Sequence, residues 1–209
     1  MATPSAPLPY PVDLSIDRPD RLSRWSTVFR LVLVIPVALV VAMLTQANGL
    51  YGSDGSGVQY LGGFIVLPTV LLLLFRHRYP RWWFDFNVQL LAFSYRVAIY
   101  IYLMRDEYPS TEDRQALNLR IPYPHAQTEL SRWLPLVKWL LAIPHLIVLF
   151  VLGIGALAAI VIAWFAILFT GRYPAGLFDF VEGYMRWSAR VTCYAVLMTT
   201  DRYPPFSLR

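Results

Sequence analysis

Hydrophobic residues run along this chain in long blocks, and charged residues are confined to the gaps between them. Residues 31–53, 55–75 and 139–171 contain no Asp, Glu, Lys or Arg. A helix needs roughly 20 apolar residues to cross the hydrocarbon core of a bilayer. The first two blocks therefore predict single spans over about 27–46 and 58–75. The third block holds 33 residues, too many for one perpendicular helix and slightly few for two. Gly153-Ile154-Gly155 near its middle predicts a tight turn, which gives spans over about 134–151 and 154–171.

An internal repeat underlies this division. Leu22-Ser23-Arg24-Trp25 returns as Leu130-Ser131-Arg132-Trp133, and Ile35-Pro36 as Ile143-Pro144, with Arg30 opposite Lys138. Arg78-Tyr79-Pro80 matches Arg172-Tyr173-Pro174, and Phe84-Asp85-Phe86 matches Phe178-Asp179-Phe180. Ser94-x-Arg96-Val97 matches Ser188-x-Arg190-Val191, and Asp106-x-Tyr108-Pro109 matches Asp201-x-Tyr203-Pro204. The offset falls from 108 to 94 between the first and second groups, so the first copy carries 14 extra residues in a Gly- and Ser-rich stretch. So many ordered matches read as a tandem duplication. The expected fold is an all-α integral membrane protein in which each copy is a spanning hairpin followed by an amphipathic interfacial helix. That makes four spanning helices, arranged as a parallel repeat. The divisions are an N-terminal segment 1–21, repeat one 22–110, a linker 111–129 and repeat two 130–209.

The interfacial helices are expected at about 85–104 and 179–199. Asp179, Glu182, Arg186 and Arg190 recur at spacings of three and four and so share one helical face. Such a helix belongs among headgroups, with its arginines reaching toward water. The hairpin tips, around residues 48–58 and Gly153, carry no Lys or Arg, so both termini are expected on the cytoplasmic side. No basic stretch followed by an apolar one opens the chain, so no cleavable signal peptide is expected.

Composition agrees with a membrane protein. Hydrophobic residues make up 57% of the 209 and charged residues 15%, and the mean hydropathy is +0.48. Disorder needs the opposite balance, and a soluble domain of this size has too little interior for so much apolar surface. The net charge is +5. Lys138 is the only lysine, and the arginines are too scattered for a nucleic-acid domain. Anionic lipid headgroups are the simpler partner. Cys193 is the only cysteine, which excludes an internal disulfide and a cysteine-based zinc site.

Candidate chemistry is sparse. No nucleophile stands beside a base at a known spacing, and no glycine-rich phosphate loop or metal-ligand signature occurs. No catalytic residue, cofactor or metal is expected. The two Arg-Tyr-Pro motifs read as interface turns, in which Tyr anchors at headgroup level and Pro ends the preceding helix. Arg78, Tyr79, Arg81, Arg172, Tyr173, Arg186 and Arg190 are the candidate lipid or partner contacts, since guanidinium groups match phosphate geometry. Asp85 and Asp179 are the candidate helix caps. His145 reads as a hydrogen-bonded or interfacial histidine rather than a ligand.

The paired Arg-Tyr-Pro, Phe-Asp-Phe, Ser-x-Arg-Val and Asp-x-Tyr-Pro motifs resemble the bacterial membrane family known as domain of unknown function 4389, DUF4389. Nearly the whole chain after Tyr10 is similar to its two-copy form, of the kind found in actinobacteria. The resemblance implies no activity, ligand or catalytic residue. One departure is Thr170-Gly171, which stands where the first copy has Arg76-His77. The functional expectation is a non-enzymatic accessory or scaffold subunit of the bacterial plasma membrane, multi-pass, in contact with anionic lipid and with a protein partner or further copies of itself. A small transporter or channel component is the alternative, with Pro36, Pro68 and Pro144 supplying irregular backbone.

Overall fold

A block of aliphatic residues with no polar competitor favours the longest run of backbone hydrogen bonds it can make, and here it makes one helix where a hairpin was expected. The computed structural model describes residues 10–37, 39–40, 63–110 and 115–209. Its elements are β1 (Asp13–Ile16), α1 (Arg24–Leu33), α2 (Gly63–Leu71) running into a π-helical turn (Leu72–Arg76), and α3 (Arg81–Ile101). Then follow β2 (Leu117–Arg120), a short α4 (Ala126–Glu129), α5 (Leu134–Thr170) and α6 (Ala175–Ala195).

The expectation of four spanning helices is overturned. Among the described residues only α5, with 37 residues, is long and apolar enough to cross a membrane. It passes through Gly153-Ile154-Gly155 without a break. Those glycines are notches for a neighbouring helix. A Cβ on Gly153 would lie 3.2 Å from the Tyr184 hydroxyl, and one on Gly155 would lie 3.3 Å from the Phe180 ring. In the first half of the chain, the apolar helix Val66–Arg76 is shorter than a span. The end of the span expected over 27–46 and the tip expected at 48–58 fall outside the described residues.

The chain is also not all helical. β1 and β2 pair antiparallel, from Asp13 opposite Arg120 to Ile16 opposite Leu117. Val12, Leu14 and Ile16 alternate with polar residues and are buried, which is the period-two signature of a half-covered strand. The expected N-terminal segment and linker thus each contribute a strand.

The two amphipathic helices begin earlier than expected and are central rather than peripheral. Both α3 and α6 have 21 residues and start directly after Pro80 and Pro174. Proline has a fixed φ and no amide hydrogen to leave unpaired, so it suits the start of a helix. α6 folds back along α5. Ala142 clusters with Tyr194 and Ala195, and Leu149 with Trp187 and Val191. Nearer the turn, Ala156, Ala159, Ala163 and Ile167 share a cluster with Phe178, Val181 and Met185. The alanine stripe lets the two backbones approach closely.

Another face of α6 carries its charges, and these hold β1 and the C-terminal segment. Arg186 Nε donates to Leu14 O at 2.7 Å, its Nη2 pairs with Glu182 at 2.6 Å, and Nη1 donates to Leu208 O at 3.1 Å. Arg190 Nη1 donates to Arg209 O at 2.6 Å. Gly183 lies under that segment, where a Cβ would stand 2.7 Å from Leu208 O and 2.9 Å from Leu208 Cβ. Gly183→Ala is therefore expected to lift the last residues off α6, at a cost of about 1–3 kcal/mol. Hydrogen exchange should show faster exchange confined to that segment and β1, and an unchanged protection pattern would contradict the close packing.

Several contacts recur between the two halves. His77 (φ 48°) closes the π-helical turn and Gly171 (φ 69°) closes α5, both in the left-handed region. Leu22, ahead of α1, donates its amide to Gly171 O at 2.9 Å. Leu130, ahead of α5, has its carbonyl 2.7 Å from His77 Nε2. Each half therefore contributes one hydrogen bond to the start of the other.

Candidate functional site

The Arg-Tyr-Pro turns lie at opposite ends of α5, roughly 55 Å apart along a helix of that length. In the first, Tyr79 is buried. Its ring meets Phe84 edge-on at 5.8 Å, and its hydroxyl donates to Leu197 O at 2.9 Å. In the second, Tyr173 is buried edge-on against Phe178 at 5.5 Å. Burying each tyrosine leaves the arginine before it at the surface: Arg78 and Arg172 are both exposed.

Each turn borders a cleft completed by residues of the other half, from the segment ahead of α5 for the first and from the start of α1 for the second. The first, about 640 Å³, is lined by Leu72, Arg76, Arg78, Arg81, Tyr123 and His125, among others. Arg81 sits over the Tyr123 ring at 5.4 Å, and the Tyr123 hydroxyl donates to Tyr79 O at 2.5 Å. The second, about 490 Å³, is lined by Arg21, Leu22, Arg24, Thr170, Gly171 and Arg172. Neither lining contains a carboxylate. Among the described residues, none of these arginines has an ion-pair partner. Uncompensated guanidinium groups around a concave surface are suited to anions, and to phosphate in particular.

The expected contact residues thus separate. Arg78, Arg81 and Arg172 are exposed at the clefts, with Tyr79 and Tyr173 buried behind them. Arg186 and Arg190 lie on the opposite charged face of α6 and are occupied by backbone carbonyls, by Glu182 and by Asp13. Asp85 and Asp179 do not cap. Their helices start four residues earlier and have no side-chain cap, and Asp179 pairs with Arg18 instead. His145 is fully buried and accepts a hydrogen bond from Trp187 Nε1 at 3.2 Å while stacked on Phe206 at 4.0 Å.

Sequence reasoning missed two aspartates that hold the segments leading into α1 and α5. Asp106 Oδ2 accepts from Ser23 N at 2.6 Å, just ahead of α1, and Asp201 Oδ2 from Ser131 N at 2.5 Å, three residues before α5. The other oxygen of each carboxylate meets a buried cation, Arg30 for Asp106 and Lys138 for Asp201. Arg30 also donates to Tyr100 O and lies 4.7 Å above the Tyr100 ring. Lys138 likewise donates to Thr200 O at 2.7 Å and lies 5.1 Å from the Tyr194 ring. The signal was present in the Asp-x-Tyr-Pro motif and in the Arg30–Lys138 match. No metal-ligand cluster occurs among the described residues.

Among the described residues, these features define a mainly helical protein with a small two-stranded sheet and one long apolar helix suited to membrane association, with arginine clefts at both ends of that helix. Residues 132–207 match the family model described as Domain of unknown function (DUF4389). No curated protein and no solved structure matches it.

Proposed function

We propose that this protein is a non-enzymatic scaffold embedded in one leaflet of the bacterial plasma membrane, with α5 lying in the membrane plane and the arginine clefts meeting anionic headgroups. The observation that carries the reading is the layering about the middle of α5. Its outer side is apolar from end to end, with Leu140, Ile147, Ile154, Val161 and Phe169 all exposed. At the level of Gly153 and Gly155, α6 intervenes and then β1 follows, with Glu182, Arg186 and Asp13. If α5 crossed the bilayer along its axis, these charges and the edges of a two-stranded sheet would sit at mid-membrane, where open sheet edges are not tolerated. Laid flat, α5 puts its apolar side into acyl chains and leaves the sheet in water.

The cytoplasmic leaflet is the fitting one, because its anionic lipids complement the clefts. The recurring Asp–Ser amide bonds, cation pairs and helix closures further support a tandem duplication. The water-facing layer of strand, C-terminal segment and charged helix is the docking surface for a protein partner.

Depth measurement tests this placement. Cys193 is fully buried and its thiol is pushed up to about 12 by burial, so cysteines introduced elsewhere are labelled selectively. Fluorophores placed singly at positions 140, 147, 154 and 161 of the reconstituted protein should be quenched by brominated lipids at one common depth. A profile deepest at 154 and shallow at both ends would mean a crossing helix and would overturn the reading.

A further inference from the structure

We propose that the cleft formed by Arg76, Arg78, Arg81 and His125 binds the phosphomonoester headgroup of an anionic lipid. The assignment rests on the in-plane membrane reading above and adds the ligand's chemical class. Three guanidinium groups and an imidazole face a cavity of about 640 Å³ whose lining holds no carboxylate. The nearby acid, Glu129, is engaged by the His125 amide at 3.0 Å. His77, also in the lining, is engaged with Leu130 O. The site is built rather than incidental. Tyr123 bridges the turn to the segment before α5 through Tyr79 O, and Arg81 is held over its ring.

The choice of a monoester follows from charge. A terminal phosphate presents three free oxygens and up to two negative charges, which match several forked donors. A phosphodiester offers one charge and two free oxygens. The choice of a lipid follows from the neighbours. Leu72 and Trp82 (70% exposed) line the cleft, and Phe75, next to Arg76 in the chain, is 76% exposed. An acyl chain leaving the cleft would therefore meet apolar surface.

The test uses the purified full chain and phosphatidylcholine vesicles, plain or doped with phosphatidic acid or with phosphatidylglycerol. Wild type should prefer phosphatidic acid over phosphatidylglycerol. Arg76→Gln/Arg78→Gln should weaken binding to phosphatidic acid vesicles by about 25-fold, fivefold for each charge, since a basic residue near an anionic surface contributes ~1 kcal/mol. Binding to plain vesicles should be unchanged. Arg120→Gln, on β2 and exposed, should match wild type. A double variant that binds phosphatidic acid as wild type does would overturn the proposal. So would binding of glycerol 3-phosphate to wild type in calorimetry together with indifference of wild type to phosphatidic acid, which would assign the cleft to a soluble phosphate. Failure of wild type to associate with plain vesicles would count against the in-plane reading instead. Calorimetry with short-chain phosphatidic acid in detergent would still read the cleft.

Discussion

Asp201→Ala is expected to destabilise the protein by about 3–5 kcal/mol, because it leaves the Lys138 ammonium buried and unpaired. Lys138 has no exposed surface, and its Nζ stands 2.7 Å from Asp201 Oδ1. The same aspartate accepts the Ser131 amide, so the substitution also removes a bond that holds the segment leading into α5. For a chain of this size the loss corresponds to a fall of about 10 °C in Tm, read by thermal scanning in detergent. Lys138→Met/Asp201→Ala should recover most of it, since replacing both buried partners with apolar groups is close to neutral. Equal melting of wild type and Asp201→Ala would show that the pair does not hold the fold. The equivalent change at Asp106 should cost less, because that carboxylate is more exposed than Asp201.

Ile147→Asp/Ile154→Asp is expected to abolish membrane retention. Both side chains are about 60% exposed, on the outer side of α5, and neither contributes to the described clusters that hold α5 to α6. A charge in hydrocarbon costs about 2.5–3.5 kcal/mol, so two lower the partition coefficient by at least a thousandfold. After alkaline carbonate treatment of membranes, wild type should stay in the pellet and the double variant should move to the supernatant. Retention of both would place that side of α5 against protein instead of lipid.

The sequence made some of this legible and hid the rest for identifiable reasons. The charge-free block 139–171 marks the body of α5 closely, because nothing in it competes with backbone hydrogen bonding. The prolines of the Arg-Tyr-Pro motifs mark the starts of α3 and α6, although the caps were sought four residues downstream at Asp85 and Asp179. Gly153 and Gly155 misled because a missing side chain serves two ends. It frees the backbone for a turn, and it also makes room for a neighbour such as Tyr184 or Phe180. Only the position of α6 decides between them. The strands escaped notice because each has only four residues and its partner lies about a hundred positions away. Arg78, Arg81 and Arg172 were legible as surface cations. Their assembly into clefts was not, since residues 21–24 and 123–128 reach those turns only through the tertiary fold.

The exchanged bonds at Leu22–Gly171 and His77–Leu130 bear on how such a chain is put together. Each moiety ties Ser23 or Ser131 through its own aspartate, but the bond one residue earlier, at Leu22 or Leu130, is completed by the other moiety, so a polypeptide comprising one moiety alone would lack it. It would become whole by trading that bond with a second molecule, and the present chain has both parties joined by a covalent tether.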